Sequence, residues 1–255
     1  MKIDLNADLG EGFGAWAMAE DAAMFDIVTS ANIACGGHAG DPDTMATATR
    51  VAREKGVVIG AHPGYADLSG FGRRVIPMTP DQIAAMVAVQ IGALKGAAGL
   101  TQGQVRYVKP HGALANLAAA DREVAGAILG AVRAIDTALP ILAISGTVLD
   151  RLSREAGHPT FSEVFADRAY QADGQLVPRG TPGAVLHDTD EIVARMLSML
   201  ESGEMPVLGG GRIRLAADSI CLHGDTPGAL DTAGVLRRAL EGAGVSVAPF
   251  VAVEG

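Results

Sequence analysis

Aromatic side chains make up only 4% of these 255 residues, although hydrophobic residues reach 49%, so the interior must be built from Ala, Val, Ile and Leu. There are two cysteines. Cys35 and Cys221 each sit inside an apolar run, which makes them small buried hydrophobes rather than a disulfide framework. Their places beside histidine-bearing loops leave open that they are neighbours across the mouth of the fold. Basic runs and interleaved basic and aromatic residues are missing, and the formal charge is −9. Neither nucleic acid nor an anionic membrane is then the expected partner; a small molecule or another protein is. Residues 1 to 8 carry acids where a secretion signal needs an apolar stretch, and no uncharged apolar run reaches the roughly 18 residues of a membrane span. A cytoplasmic location is expected. GxxxxGKS/T does not occur, and neither Gly10-Glu11-Gly12-Phe13-Gly14 nor Gly209-Gly210-Gly211 has the spacing or following helix of a phosphate or dinucleotide loop. This chain is not expected to bind nucleotide by itself.

What is present alternates between strand-like and helix-like patterns. Strands are expected at 2 to 8, 27 to 34, 57 to 62, 105 to 110, 141 to 145, 160 to 166, 218 to 223 and 245 to 250. Between them come a short acidic helix from 18 to 25, a helix from Asp41-Pro42 to Gly56, and a long amphipathic helix after Thr79-Pro80. The last carries Ile83, Met86, Val87, Ile91 and Leu94 on one stripe. Further helices are expected near 121 to 138, 147 to 156, 188 to 202 and 226 to 242. Seven or eight β/α units in one α/β domain over residues 1 to 255 fit best, as a (β/α) barrel.

Four of the six histidines follow such apolar runs directly: His38, His62, His111 and His223. Strand ends in a parallel β/α fold converge on one face, where active sites are built. Side chains alternate along a strand, so Asp4, Asn6 and Asp8 share a face opposite Ile3, Leu5 and Ala7. Tyr107, Lys109 and His111 repeat the split, as do Glu163 with Asp167 and Ser219 with His223. The outer face of a barrel packs on helices, so the polar parity points inward. One buried His or Asp more often satisfies hydrogen bonds than catalyses. Several inward Asp, His and Lys groups desolvate one another and are costly to keep for structure alone. Asp8, His38, His62, Lys109 and His111 are therefore the candidate catalytic groups, with Asn6 and His223 beside them at the substrate. His158 and His187, without visible partners, read as surface residues. Asp8, His38, His62 and His223 are one set that could ligate a divalent metal, although no HxxxH or HExxH spacing supports it.

Two loops complete the expected pocket. A connection of about sixteen residues runs from His62 through Arg73 and Arg74, long for a compact domain and Gly-spaced like a lid. Arg73 and Arg74 could clamp a carboxylate. Residues 167 to 179 could close from the other side, with Arg168 after the inward Asp167 as a second anion ligand.

The stretches DLNADLGEGFG at 4 to 14, SANIACGGHAGDP at 30 to 42, GAHPGYADLSGFGRR at 60 to 74, VKPHGALAN at 108 to 116, EVFADRAYQADGQLVPR at 163 to 179 and ICLHGDTPGA at 220 to 229 resemble the LamB/YcsF family, the A subunits of 5-oxoprolinase (ATP-hydrolysing). The resemblance implies a barrel distantly similar to glycoside hydrolase and deacetylase barrels. It implies opening of 5-oxoproline (pyroglutamate) to L-glutamate with ATP hydrolysis, in a complex with subunits B and C that would handle the nucleotide. In such a site Asp8 or His62 would be the base toward water, Lys109 would stabilise an oxyanion or phosphate, His111 or His38 would be the acid, and Arg73 or Arg168 would hold the substrate carboxylate. Two other readings remain: a stand-alone metal-dependent deacetylase or amidohydrolase, and a binding or regulatory subunit with no chemistry of its own.

Overall fold

The computed structural model describes residues 1–16, 21–222 and 228–252. Its strands are β1 (Lys2–Leu9), β2 (Ser30–Ala34), β3 (Val58–His62), β4 (Val105–Val108), β5 (Ile141–Ile144), β6 (Thr160–Phe165), β7 (Glu204–Pro206), β8 (Arg212–Arg214), β9 (Ser219–Leu222) and β10 (Ser246–Val247). Its helices are α1 (Asp21–Met24), α2 (Pro42–Lys55), α3 (Pro80–Leu100), α4 (Gly112–Ala118), α5 (Arg122–Ile135), α6 (Val148–Glu155), α7 (Thr189–Ser202) and α8 (Ala229–Gly242). Strands β1 to β6 and β9 run parallel, and pairing of β9 with β1 closes them into a seven-stranded barrel. The helices flank it, as expected for a (β/α) barrel.

Local chemistry explains the helix starts. Asp41 caps α2 by accepting from the amides of Asp43 and Thr44, and Thr79 with Gln82 forms a capping box on α3. Helix α3 is long and apolar enough to cross a membrane by composition. Here it packs on α2 and α5 and buries Ile83, Val87, Ile91 and Leu94, each worth about 1.5–3 kcal/mol of apolar burial.

Three features depart from the expectation. The last strand shrinks to two residues that pair with Lys2 and Ile3 outside the closed ring. The triple glycine 209–211 links an antiparallel hairpin, β7 and β8, instead of leading directly into a barrel strand. Helix α4, too short for a periodicity signal, begins directly after His111.

Parity works as physical chemistry demands. Ile3, Leu5, Ala7 and Leu9 join the apolar layer between strands and helices, while Asp4, Asn6 and Asp8 form hydrogen bonds across the barrel interior. Asp4 accepts from the hydroxyls of Thr29 and Ser30, each at 2.6 Å, and from Ser219. Burial nevertheless raises its pKa to about 6. Asn32 donates to Asn6 and Asp8, and Tyr107 donates to Asn32 at 2.6 Å. That ring fits only because residue 60 is glycine, since a Cβ there would overlap it.

Candidate active site

Lys109 follows β4 and reaches back into the barrel, where its buried ammonium lies 3.0 Å from Asp8 Oδ1, 3.1 Å from Asn6 Oδ1, 3.1 Å from Glu163 Oε2 and 3.0 Å from Cys221 Sγ. Burial opposes the charge, yet Asp8, Cys221 and Glu163 outweigh it and hold the pKa well above the lysine value. Lys109 therefore acts as a fixed cation, not a base. Burial pushes the Glu163 carboxyl up, and Lys109 counters only part of that.

Asp8 links this cation to a group of histidines. Its Oδ2 lies 3.3 Å from His62 Nε2, which is 3.0 Å from His111 Nδ1. His38 stacks on His111 with ring centroids 3.6 Å apart, and its Nε2 is 3.0 Å from Glu11 Oε1. Burial above all, and the neighbouring imidazoles next, keep His38 and His111 well below the usual histidine pKa. Donor atoms of Glu11, His38, His62 and His111 all lie within 4.8 Å of one another, a buried set able to hold a metal ion. This differs from the set expected from sequence: Glu11 and His111 join His38 and His62, Asp8 stands beside them, and His223 lies outside the described residues. Glu11 escaped notice because it follows the alternating part of β1. The available signal was an acid between Gly10 and Gly12 at the strand end that carries Asp8.

A cavity of about 630 Å³ opens onto this cluster. Asp8, His62, Lys109 and His111 are its buried polar wall, and Arg73, Arg168 and Arg179 line it as well. Arg168 is buried and donates to the carbonyls of Val177 and Ala184, its pKa lowered to about 10 by burial first and Arg179 next. Asp167 is buried beside it and supports the charged form.

The remaining candidates sit elsewhere. Asn6 lies wholly buried beneath the cavity, where it orients Lys109. His38 is behind His111, off the cavity wall. Arg74 does not reach the cavity either, because Asp67, seven residues earlier on the same loop, captures its guanidinium together with Ser69. The loop itself packs down: Phe71 accepts at its carbonyl from His111 Nε2 at 2.8 Å, and its ring stands edge-on to His38 and His111. His158, expected at the surface, is buried and donates through Nε2 to Leu139 O in the loop after α5, a partner brought near only by the tertiary fold. Cys35 and Cys221 are both buried and free, Cys35 at His62 N and Cys221 at Lys109.

The model of the LamB/YcsF family matches residues 3–255. The chain belongs to the LamB/YcsF family. Among relatives of this family member, the 5-oxoprolinase A subunit of Gluconobacter oxydans is 52% identical over 245 residues, covering 96% of each chain. The protein of the same name from Rhodopseudomonas palustris is 51% identical over 251 residues, covering 98% of this chain and 99% of that one. The crystal structure of the lactam utilization protein from Thermus thermophilus superposes with a TM-score of 0.91 at 45% identity, covering 97% of this chain and 99% of that one.

Proposed function

We propose that this LamB/YcsF protein is the A subunit of an ATP-dependent 5-oxoprolinase, opening 5-oxoproline to L-glutamate together with subunits B and C. The observation that carries the reading is the cavity's pairing of a buried Lys109–Asp8 couple with three lining arginines, in a chain 51% to 52% identical to proteins of that name. The substrate is a small anion with one amide bond. Guanidinium groups take its carboxylate, and Arg73 and Arg168 are the ligands. The ammonium of Lys109 faces charge developing on the carbonyl oxygen, or on a phosphate attached to it by the partner subunits.

A five-membered lactam holds amine and acyl carbon at very high effective concentration, so hydrolysis is reluctant and must be coupled to ATP. The partners supply that coupling, in keeping with a chain that lacks a phosphate loop. With the lactam oxygen phosphorylated from ATP by the partners, water adds its oxygen to that carbon while Asp8 takes its proton. The carbon–nitrogen bond breaks as the proton passes to the departing nitrogen, and a second water releases the acyl-bound phosphate to leave glutamate and inorganic phosphate. Asp8 suits both transfers, being hydrogen-bonded to Lys109 and Asn32 and open to the cavity. His111 is a poorer acid than its sequence position suggests, because Phe71 O holds one ring nitrogen and His62 faces the other.

The test is to measure glutamate and phosphate release from 5-oxoproline and ATP by the chain alone, by the partners alone and by the mixture. Glutamate from the mixture only, with loss of turnover on Asp8→Asn and Lys109→Met, is the expected result. Near-normal turnover in both variants, or glutamate from the partners alone, refutes the reading. Chelator-sensitive amide hydrolysis by the chain alone would instead support the metal-hydrolase reading, which the His/Glu cluster favours.

A further inference from the structure

The tautomers of two histidines say more about the cluster than its distances do. His62 Nδ1 lies 2.7 Å from the carbonyl oxygen of Lys109, and His111 Nε2 lies 2.8 Å from that of Phe71. A carbonyl oxygen only accepts, so each of these nitrogens carries the hydrogen. In the neutral rings the lone pairs then fall on His62 Nε2 and His111 Nδ1, which face each other at 3.0 Å. Two lone pairs at that distance repel unless a cation joins them. A shared proton would serve that pair and Asp8 Oδ2, 3.3 Å from His62 Nε2. The cluster is larger, because Glu11 Oε1 lies 3.7 Å from His111 Nδ1 and 3.0 Å from His38 Nε2. Without an ion, Glu11 Oε1 accepts the hydrogen of His38 Nε2. Because His38 Nδ1 is buried with no hydrogen-bond partner among the described residues, that hydrogen can sit on Nδ1 instead and free the Nε2 lone pair for an ion.

We propose that Glu11, His38, His62 and His111 bind one divalent transition-metal ion of the zinc type. Three imidazole nitrogens and one carboxylate oxygen suit zinc, cobalt or iron, whereas magnesium and calcium prefer oxygen donors. With bonds of about 2.0–2.1 Å a tetrahedral ion spaces its donors roughly 3.3 Å apart. Three of the donor pairs, at 3.0, 3.0 and 3.7 Å, lie around that value, and the rest, all within 4.8 Å, would draw in on binding. The carbonyls of Lys109 and Phe71 hold the outer N–H groups of two ligands, the outer support that metal-bound histidines ordinarily have. Asp8 lies beside the site on the same cavity wall as His62 and His111. Use of the ion as a Lewis acid beside Asp8 rests on the lactam-opening reading; binding of the ion does not.

The experiment strips the full chain with a chelator and titrates it with Co²⁺, reading visible absorption and bound metal by mass spectrometry. The expected result is one Co²⁺ per chain, an intense four-coordinate visible spectrum, displacement by Zn²⁺, and affinity lower by on the order of 100-fold in His62→Ala. Glu11→Gln, which keeps shape and hydrogen bonding, guards against misfolding of the histidine variant and should weaken binding and shift the band. A folded chain that takes up no Co²⁺ at micromolar concentration, or a spectrum untouched by Glu11→Gln, overturns the proposal. Failure of the 5-oxoprolinase reading would show separately, as absence of glutamate from the reconstituted mixture with Co²⁺ binding intact.

Discussion

Replacing Lys109 with Met should do more than slow the reaction: it should make the protein's stability fall more steeply with rising pH than the native chain's does. The native ammonium lies 3.0 Å from Asp8 and 3.1 Å from Glu163. Its removal leaves two carboxyls, of which Asp8 borders the cavity while Glu163 is almost fully buried. Breaking a buried ion pair by removing one partner costs about 3–5 kcal/mol, against a total stability of about 5–15 kcal/mol. The folded variant limits the loss by keeping Glu163 protonated. Burial already raises this carboxyl above 4.5, and loss of Lys109, which lowers it, raises it further. The folded state then binds one proton more than the unfolded state above pH 4.5, so the sign is fixed. Stability should fall by about 1.4 kcal/mol per pH unit as pH rises, until Glu163 ionises in the folded state or the penalty is fully expressed. Urea denaturation followed by circular dichroism across about pH 5 to 8 reads this directly, roughly three such steps. The double variant Lys109→Met/Glu163→Gln carries no buried charge at that position and should recover most of the stability with a flat profile, while remaining inactive. A single variant as stable as the native chain at every pH, or a double variant no better than the single, would refute the placement of charge in the barrel.

Arg73→Ala should raise KM for 5-oxoproline about 10- to 100-fold with little change in kcat, the loss of one charge-assisted carboxylate contact of about 1.5–3 kcal/mol. Arg74→Ala should leave KM unchanged because Asp67 already holds its guanidinium; steady-state kinetics of the reconstituted enzyme compares the two. Gly60→Ala should lower stability by about 3 kcal/mol in thermal denaturation, since the new methyl would overlap the Tyr107 ring inside the barrel. Asp4 has a folded pKa of about 6, raised from 3.8 chiefly by burial, so it holds an extra proton in the folded state and costs stability as pH rises from about 4 to 6. Asp4→Asn should flatten that part of the pH–stability curve, and an unchanged slope would contradict the assignment.

The fold was legible because each of its signals is local. Asp41-Pro42 and Thr79-Pro80 announce helix starts through caps formed within four residues, and the Ile3/Leu5/Ala7 against Asp4/Asn6/Asp8 alternation states which face meets helices. Elements without a local period were lost: α4 spans seven residues, and β7 and β8 three each. The same limit applies to the site. Asp8, Lys109, His62 and His111 could be read as a group because a closed parallel barrel sends strand ends to one place.

Sequence by itself determined the barrel class, the family and the strand-end residues that would meet, since all three depend on short-range patterns or on direct likeness. Tertiary structure alone decided the partners. Whether Arg73 or Arg74 turns to the cavity depends on Asp67 competing for one of them, and whether Lys109 is a base or a fixed cation depends on Glu163 and Asp8 arriving from two other strands. The tautomers of His62 and His111 depend on two carbonyls far away along the chain. Distances of a few ångströms between groups dozens of residues apart set charge and proton position, and no pattern along a chain encodes them until the barrel closes.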